Sequence, residues 1–579
     1  MPPSEALAPR RRWRVEPAPE PAAAAALARE LGVPAVFAGL LVGRGVGDSA
    51  QARRFLKPAR ADLLDPAGLP DVDVAVRRLA AAVKGGETIL VHGDYDADGQ
   101  CAAAIASRVL GMAGARVVPF VPHRLRDGYD LTEAGIGAAR AAGASVILAL
   151  DCGTTALEAV AAARAAGLDV IVVDHHLPGP RLPEALAVVN PRRPDSAYAF
   201  PDLCAAGLAF KVMQRLAPAV GLPEGAPWHL LDLVALATVA DLVPLVGENR
   251  VLVRLGLKLI GASRWPGVAA LITVAGLGTT RIRSRHLAFA LAPRLNAAGR
   301  IGDAGDGLRL LLTDDTGEAY ALAASLERQN TERQALDQRT LKEALDELAA
   351  GFDPARDTGV VLARDGWHPG VVGIVASRVV ERLGRPAILI ALDGEVGRGS
   401  GRSVAGCDLH RALAGCAPLL ERWGGHRMAA GLTVRRERLS EFREAFARAC
   451  AAQLAPDDLA PSQRVDAVVR VGELTPELER ALEWLEPTGM GNPAPVFGLD
   501  GVTLRGPRRR VGDGHVRMVL AHGADALPVV GFGLREEVER AVAGSAAGGL
   551  FRAAVRLHRD TWNGNDALEG RLVSFEPAA

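Results

Sequence analysis

Between residues 76 and 176, short apolar segments alternate with alanine-rich stretches of helical pattern. The apolar segments lie at Thr88–Val91, Ser145–Leu150 and Asp169–Val173. Continuous apolar runs separated by helices are typical of parallel strands in a sheet that helices cover on both faces. This alternation predicts an α/β fold built on an open parallel sheet, and it constrains the chain more than any other feature.

A second α/β unit and a barrel are predicted further along the chain. Residues 318–348 contain neither proline nor glycine and sustain no heptad, so they favour one long connecting helix over a coiled coil. Strand-like runs near 359–363 and 387–391 flank a helix that begins after Gly370. Short alternating segments then predict a C-terminal β-barrel of the OB type, with strands at 465–471, 501–505, 516–520, 527–531 and 551–557. The expected divisions are an N-terminal segment at 1–75, a catalytic domain at 76–270, a connector at 271–350, a second α/β domain at 351–455 and the barrel at 464–579.

Composition excludes several classes of protein. With 49% hydrophobic residues, the 579-residue chain is too apolar to be disordered. No apolar run approaches the ~20 residues of a membrane span, so we expect no membrane partner. The six scattered cysteines form no CxxC pair, which favours the reducing cytoplasm. The basic cluster at 10–14 leaves two alternatives open: a phosphate contact, or a solvated end anchored by Trp13.

Acidic and histidine residues follow each predicted strand of the first sheet. The first strand runs into His92, Asp94, Asp96 and Asp98, the second into Asp151, and the third into Asp174, His175 and His176. Asp241 follows the apolar, helix-like segment 231–240. Ligands of open α/β sheets bind beyond the carboxyl ends of the strands, so these clusters should converge.

Any one of these carboxylates is most simply a helix cap, and an Asp-His pair is often a hydrogen-bonded turn. Four such clusters together favour a different hypothesis, because crowded carboxylates repel unless cations neutralise them. Mixed Asp and His ligands suit Mn²⁺ or Mg²⁺ better than structural Zn²⁺. The pattern therefore predicts a two-metal centre for hydrolysis at phosphorus, with one ion activating water and the pair neutralising transition-state charge.

The chain resembles the DHH phosphoesterase superfamily and, within it, the RecJ exonucleases. The resemblance rests on ordered blocks from 92 to 497: HGDYDADG at 92–99, VPHRLRDGY at 121–129, DCG at 151–153, DHH at 174–176, TVADLVPLVGENR at 238–250, PRLNAAGRIGDA at 293–304, WHPGVVGIVASR at 367–378, GSGRS at 399–403, GGHRMAAG at 424–431 and GMGNPAPVF at 489–497. It implies a DHH domain, a DHHA1 domain and an OB-fold domain in place of the three predicted units.

The resemblance also implies the metal site. Its two Mn²⁺ or Mg²⁺ ions would be held by Asp96, Asp98, Asp151, His175 and Asp241, with Asp151 bridging and His92 as a further ligand. Asp174 would orient a ligand, His176 would contact the scissile phosphate, and Asp94 would hold the tight turn before Asp96.

On the substrate side, GSGRS combines backbone amides, hydroxyls and a guanidinium, a set that holds phosphate, although a plain glycine turn is the alternative. The resemblance implies a 5′-phosphate pocket made by Ser400, Arg402 and Arg124, with Ser403 beside it. Arg378 and His426 would contact the DNA backbone. Arg294 and Asn296 would do the same, or would tie the long helix to the catalytic domain. The triplet at 508–510 is either a strand-tracking patch or a solvated loop.

With these residues, the resemblance implies a 5′→3′ exonuclease that acts on single-stranded DNA in repair and recombination and releases 5′-mononucleotides. The strand would thread between the catalytic and second α/β domains. The expected partners are single-stranded DNA with a 5′ end and a single-strand-binding protein or a helicase, and the chain would act as a monomer. The alternatives are a DHH hydrolase of short oligonucleotides or cyclic dinucleotides, a non-catalytic DNA-binding scaffold, and an inorganic pyrophosphatase.

Overall fold

The computed structural model describes residues 12–124, 126–278, 280–354, 356–459, 462–545, 549–560 and 567–578. It divides into two compact units. The parallel-sheet unit comprises Gly45–Asn330 and Arg480–Ala494. The barrel unit comprises the residues up to Arg44, Thr331–Glu479 and the chain from Pro495 onward. Arg10 and Arg11 of the basic cluster lie outside the described residues.

The parallel-sheet unit contains the five-stranded sheet that the alternation predicted. Its strand order is β3-β2-β4-β5-β6, all parallel, with β2 at Thr88–Gly93, β3 at Arg116–Phe120, β4 at Ala144–Leu150, β5 at Asp169–Val173 and β6 at Ala187–Val189. The sequence did not predict β3 or β6, the two edge strands.

Helices cover both faces of this sheet. Helices α3 (Ser49–Leu56) and α4 (Val72–Gly85) precede it, and α5 (Ala97–Met112), α6 (Glu133–Ala141) and α7 (Leu157–Ala165) connect its strands. The later helices of the unit are α8 (Ala205–Ala219), α9 (Leu231–Ala240), α10 (Gly247–Ile260), α11 (Pro266–Val274), α12 (Ser284–His286), α13 (Ala292–Ile301) and α14 (Ala304–Leu312). One apolar core joins β2, β4 and β5 to α4, α5, α8 and α9, and a second core on the opposite face joins them to α6 and α7. Every residue of α9 from Leu231 to Val239 is buried, as expected of a helix that is apolar all round.

The long connecting helix is confirmed as α15, Thr316–Gly351. In the barrel unit, the second sheet has the order β10-β11-β9-β8-β7, with β7 at Val360–Asp365, β8 at Ala387–Asp393, β9 at Val396–Arg402, β10 at Leu420–Gly425 and β11 at Ala429–Arg435. One face packs against α16 (Val372–Leu383) and the end of α15, and the other against α17 (Leu409–Ala414) and α18 (Leu439–Ala451).

The barrel is confirmed, but one of its strands was missed in the sequence. Five strands pair in a closed ring, β14-β18-β19-β17-β16-β14. They are β14 (Phe497–Leu504), β16 (His515–His522), β17 (Asp525–Gly531), β18 (Phe551–Asp560) and β19 (Ala567–Pro577), with α19 (Pro476–Leu482), α20 (Arg535–Ala543) and the short β15 (Arg509–Val511) outside the ring. The unpredicted β19 closes the ring. The strand predicted at 465–471 is instead split by Asp466 into β12 (Ser462–Val465) and β13 (Ala467–Val468).

The N-terminal residues of the barrel unit form β1 (Arg12–Val15), α1 (Pro21–Leu31) and α2 (Ala35–Gly43). β1 pairs in parallel with β12, and the guanidinium of Arg552 lies 4.2 Å from the ring centre of Trp13. Trp13 therefore anchors this segment, which agrees with the second of the two alternatives for the basic cluster, an end anchored by Trp13. Among the described residues no single helix has the length and apolarity of a membrane span, while the pair α1 and α2, bent by 118°, passes that test on length and composition alone.

Candidate two-metal centre

The candidate site lies at the carboxyl end of the parallel sheet, where the strand-end clusters converge as predicted. Ligand atoms fall into three groups, each within 4.8 Å: Asp94, Asp96 and Asp151; Asp98, His175 and Asp241; and Asp151, Asp174, His175 and His176. Asp151 belongs to two of the groups, which is the position expected of a bridging carboxylate. A pocket of about 210 Å³ opens over them and is lined also by Tyr95, Arg124, Tyr129, Asn296 and Arg300.

The turn after β2 positions the first carboxylates. Asp96 caps α5, since its Oδ1 accepts hydrogen bonds from the amides of Asp98 at 2.9 Å and Gly99 at 3.1 Å. A Cβ at Gly99 would lie 2.3 Å from the Asp94 nitrogen, so only glycine allows the first turn of α5 to approach the strand end this closely. Asp96 is thus both the helix cap and a member of the cluster. Asp94, which we expected only to hold this turn, lies in the cluster as well.

His175 faces three carboxylates with one ring nitrogen. Its Nε2 lies 3.2 Å from Asp151 Oδ1, 3.7 Å from Asp241 Oδ2 and 3.9 Å from Asp98 Oδ2. Atoms that share an octahedral ion with ligand bonds of about 2.1 Å lie about 3 Å apart, so this spacing fits a shared cation. The buried Oδ1 of Asp151 accepts no hydrogen bond among the described residues, which is the condition expected of an oxygen reserved for a metal. The residues present therefore fit a pair of divalent cations.

Burial and mutual repulsion govern the electrostatics of the cluster. Burial, and then the neighbouring carboxylates, raise the pKa of Asp94, Asp151 and Asp241 well above the usual range. The same two causes raise the pKa of Asp98 to about 7. Burial, followed by the neighbouring His176, lowers the pKa of His175 to about 3, so this ring is neutral, as a metal ligand must be. Cations bound here would replace protons held by the carboxylates.

His176 differs from His175 because it has a carboxylate partner. Its Nδ1 lies 2.7 Å from Asp174 Oδ1, and the Asp174 carboxylate also accepts the backbone amides of Thr154, His175 and His176. Burial favours the neutral His176 ring, but the bond to Asp174 and the nearby acidic groups outweigh it and raise its pKa to about 9. Burial likewise opposes the ionisation of Asp174, yet the bond from His176 and the charges of both histidines lower its pKa. His176 is a cation placed beside the carboxylates, suited to an anionic substrate.

His92 does not join the cluster in the part of the chain that the structure describes. Its side chain points to the same face of β2 as Leu90, where the ring lies 5.2 Å from Phe120 and the Nδ1 is 3.5 Å from Cys152 Sγ. A Cβ at Gly135 of α6 would lie 2.9 Å from the His92 Nε2, so α6 covers the ring. Strand alternation thus directs the His92 side chain to the face of the sheet that α6 covers, away from the acidic cluster, and we remove His92 from the proposed ligand set.

Sequence reasoning missed Asp130, which lies outside every quoted block but holds the loop that carries Asp151. Both residues are in the left-handed region, with φ of 75° and 65°. Asp130 Oδ1 accepts the Gly153 amide at 2.6 Å, and its Oδ2 accepts the Thr155 hydroxyl at 3.1 Å. Its neighbour Tyr129 has its hydroxyl 3.0 Å from His176 Nε2. The sequence did carry a signal for Asp130: it follows closely after Gly128, and an aspartate near a glycine is typical of a turn in which the carboxylate binds backbone amides.

Asn190 was missed for a simpler reason, since it follows the unpredicted strand β6. Its buried Nδ2 donates to the Thr154 hydroxyl at 3.0 Å and to the His176 carbonyl at 2.8 Å. The strand-end rule that found the other clusters would have found this residue too, had β6 been recognised.

The predicted phosphate contacts in the parallel-sheet unit separate into two kinds. Arg124 lines the pocket, with its guanidinium 5.1 Å from the ring centre of Tyr95. Asn296 also lines it, while its Oδ1 accepts the Ala97 amide at 2.8 Å at the start of α5. Arg294 instead pairs with Glu327 of α15, which is the structural alternative that the sequence left open for it.

In the barrel unit, Ser400 and Arg402 lie side by side on β9. The Arg402 Nη1 donates to the Ser400 hydroxyl at 3.2 Å. A Cβ at Gly373, in the first turn of α16, would lie 2.8 Å from Ser400 Oγ, so a helix N-terminus adjoins both side chains. Amides at a helix N-terminus, a hydroxyl and a guanidinium form a set that favours phosphate.

The other residues predicted to bind phosphate in the barrel unit either bind other protein groups or are exposed to solvent. Ser403 is buried and donates its hydroxyl to the Cys407 carbonyl at 2.7 Å, so we correct its assignment to a structural one. Arg378 pairs with Asp337 of α15 at 3.0 Å and keeps 44% of its side chain exposed. His426 is exposed in the turn between β10 and β11. The triplet Arg508–Arg510 is exposed beside the barrel.

Comparison with known families and proteins gives a consistent result. Family models match at residues 88–238 (DHH family, N-terminal domain), 357–452 (DHHA1 domain) and 465–574 (RecJ OB domain). The single-stranded-DNA-specific exonuclease RecJ of Bacillus subtilis is 37% identical over 543 residues, which cover 93% of this chain and 68% of that protein. Crystal structures of Thermus thermophilus RecJ with Mn²⁺ and with Mg²⁺ superpose with TM-scores of 0.83 and 0.77, at 34% and 33% identity. They cover 98% of this chain in both cases, and 80% and 78% of the Thermus chains.

Proposed function

This chain belongs to the RecJ family of single-stranded-DNA-specific exonucleases, and we propose that it removes nucleotides from the 5′ end of a single strand by two-metal hydrolysis. The observation that carries the proposal is the convergence of five carboxylates, Asp151 among them, and His175, with spacing that fits shared cations. Mn²⁺ or Mg²⁺ is the cofactor, as in the Thermus structures.

We assign the ions to Asp94, Asp96, Asp98, Asp151, His175 and Asp241. When bound, two divalent cations activate water and neutralise charge on the phosphorus in the transition state. Asp98 is held by the amides of Ala205 and Ala206 at 2.7 and 2.8 Å, so its carboxylate has one orientation in which to meet a cation.

His176 would hold a proton on both ring nitrogens and bind a non-bridging oxygen of the scissile phosphate. Asp174 fixes its Nδ1 side and Tyr129 meets its Nε2, so the ring is positioned before substrate arrives. Arg124 adds a second cation at the pocket wall. We propose that Ser400 and Arg402 bind the terminal 5′-phosphate, which would set the 5′→3′ polarity and the release of 5′-mononucleotides.

A nuclease assay tests this function directly. Strands labelled at the 5′ or 3′ end, the matching duplex and a dinucleotide are incubated with Mn²⁺, Mg²⁺ or EDTA. We expect 5′-mononucleotides from the single strand only, and only with metal. Preferred cleavage of the dinucleotide would instead favour a hydrolase of short oligonucleotides, and release of label from the 3′ end first would refute the polarity.

Asp151→Asn is the informative variant, because asparagine tolerates the left-handed conformation at φ 65° while removing the charge. We expect kcat to fall at least about 10³-fold, as for loss of a principal electrostatic contact. Asp314→Asn, which alters an exposed carboxylate of the same unit, is the matched control and should retain wild-type kcat. Substantial metal-dependent activity in Asp151→Asn would refute the bridging assignment.

We further propose a role in DNA repair and recombination, a cytoplasmic location, a monomeric state, and a single-strand-binding protein or a helicase as protein partner. The support for the compartment is chemical, since all six cysteines are free and buried. Sedimentation of the purified protein and co-purification from cells would test the monomer and the partner.

A further inference from the structure

Large apolar residues that directly follow or contact residues of the candidate metal centre are exposed. Leu177 follows His176 and is 57% exposed, and Leu242 follows Asp241 and is 63% exposed. Tyr129, 49% exposed, lines the pocket and contacts His176. We call Tyr129, Leu177 and Leu242 the apolar rim. Single exposed leucines are ordinary, but each of these adjoins a residue of the site.

Leu242 is also strained. Its φ of 59° lies in the left-handed region, immediately beyond the end of α9. Helices commonly end with a left-handed residue there, and glycine is favoured because any Cβ is crowded in this conformation. A leucine at this position costs stability, and its exposed side chain regains little of it by burial. The helix end accounts for the left-handed backbone but not for a leucine in it, and a strained, exposed residue next to a site points to function.

We propose that the apolar rim, with Leu242 as its principal member, contacts the unpaired bases next to the scissile phosphate and so helps to select single-stranded DNA. This inference rests on the proposed function. The Asp241 carboxylate lies 3.7 Å from His175 Nε2 and lines the pocket, so Leu242 directly follows in the chain a residue that a bound phosphodiester would meet. The apolar faces of the bases are open in a single strand and stacked on one another in a duplex, so an apolar contact favours the single strand.

The test compares two 5′-phosphorylated strands of equal length and charge with Mn²⁺ present. One consists of thymidines, and the other has abasic sites at its two 5′-terminal nucleotides. A leucine contact over about 60 Å² of apolar surface corresponds to a preference of about tenfold in kcat/KM. We therefore expect the wild-type protein to prefer the thymidine strand by this factor.

Leu242→Asn and Leu242→Gly both relieve the backbone strain and remove the apolar side chain. In both variants the ratio of kcat/KM on the thymidine strand to kcat/KM on the abasic strand should fall from about ten toward one. The thermal midpoint of Leu242→Gly should rise, because glycine relieves the strain. Met112→Gln is the matched control, since Met112 is exposed at the far end of α5, about 24 Å along the helix from Asp96. Its ratio should equal that of the wild-type protein.

The outcomes separate the possibilities. An active protein whose ratio is unchanged in both Leu242 variants would overturn this inference and leave the proposed function standing. A lower thermal midpoint with an unchanged ratio would overturn it too, by showing that Leu242 serves the fold or a protein partner. A wild-type protein inactive on both strands would overturn the proposed function and the inference together.

Discussion

Without divalent cations, the free energy of unfolding of the protein should fall as the pH rises from 6.5 to 8. Burial and mutual repulsion raise the pKa of Asp94, Asp151 and Asp241 well above the usual range, so the folded protein holds protons that the unfolded chain has released. His176 acts in the same direction, since its pKa rises from 6.5 to about 9 on folding. His175 acts weakly in the opposite direction, because its pKa falls from 6.5 to about 3 on folding and the unfolded ring still releases protons just above pH 6.5.

The sign and size follow from proton linkage. Where the folded state binds more protons than the unfolded state, the free energy of unfolding falls as the pH rises, by about 1.4 kcal/mol per pH unit for each such proton. The carboxylates and His176 lie in contact and titrate as one coupled set, so we count one proton for the whole set, which amounts to about 2 kcal/mol between pH 6.5 and 8. That change lowers the thermal midpoint by about 4 °C.

Bound Mn²⁺ takes the place of these protons, so its effect has the opposite dependence on pH. Metal ligands must be deprotonated, and the stabilisation by Mn²⁺ should therefore be larger at pH 8 than at pH 6.5. The assay is thermal unfolding at both pH values with EDTA or with Mn²⁺, on the wild-type protein, Asp151→Asn and the control Asp314→Asn. A midpoint in EDTA that is constant or rises with pH, or an equal Mn²⁺ effect at both values, would refute this account of the cluster.

Three further predictions concern residues around the centre and in the core. Asp130→Ala removes the carboxylate that holds the Gly153 amide, and we expect Mn²⁺ affinity, measured by calorimetry, to fall about 10- to 100-fold while Asp130→Asn loses less. Arg402→Lys replaces a two-pronged donor by a point charge, so the kcat/KM preference for a 5′-phosphate over a 5′-hydroxyl should drop about tenfold; an unchanged preference would remove Arg402 from the phosphate pocket. Lys211→Met leaves the Glu248 carboxylate buried without its cation and should cost about 3–5 kcal/mol in urea unfolding; combining it with Glu248→Gln should restore part of this, because glutamine removes the charge and keeps an acceptor for the Tyr198 hydroxyl.

Much of the fold was readable from local patterns. The apolar runs at β2, β4 and β5 and the uninterrupted helical pattern of α15 were predicted to within a few residues of their observed bounds. The edge strand β3 and the last barrel strand β19 were missed because each mixes polar residues with its apolar ones, and the edge strand β6 was missed because it is only three residues long, Ala187–Val189. β3 pairs in parallel with β2, β6 with β5, and β19 with both β18 and β17, and this pairing rather than local propensity makes them strands.

The sequence alone determined where the centre would lie, because parallel strands all end at one edge of a sheet and carry their following residues there. That rule placed Asp96, Asp151 and His175 correctly without coordinates. It could not determine where each side chain points, since direction depends on dihedral angles and on contacts from distant elements. Only the tertiary structure turned His92 under α6, brought Asp94 into the cluster, bound Asp130 to the Asp151 loop and left Leu242 strained and exposed beside Asp241.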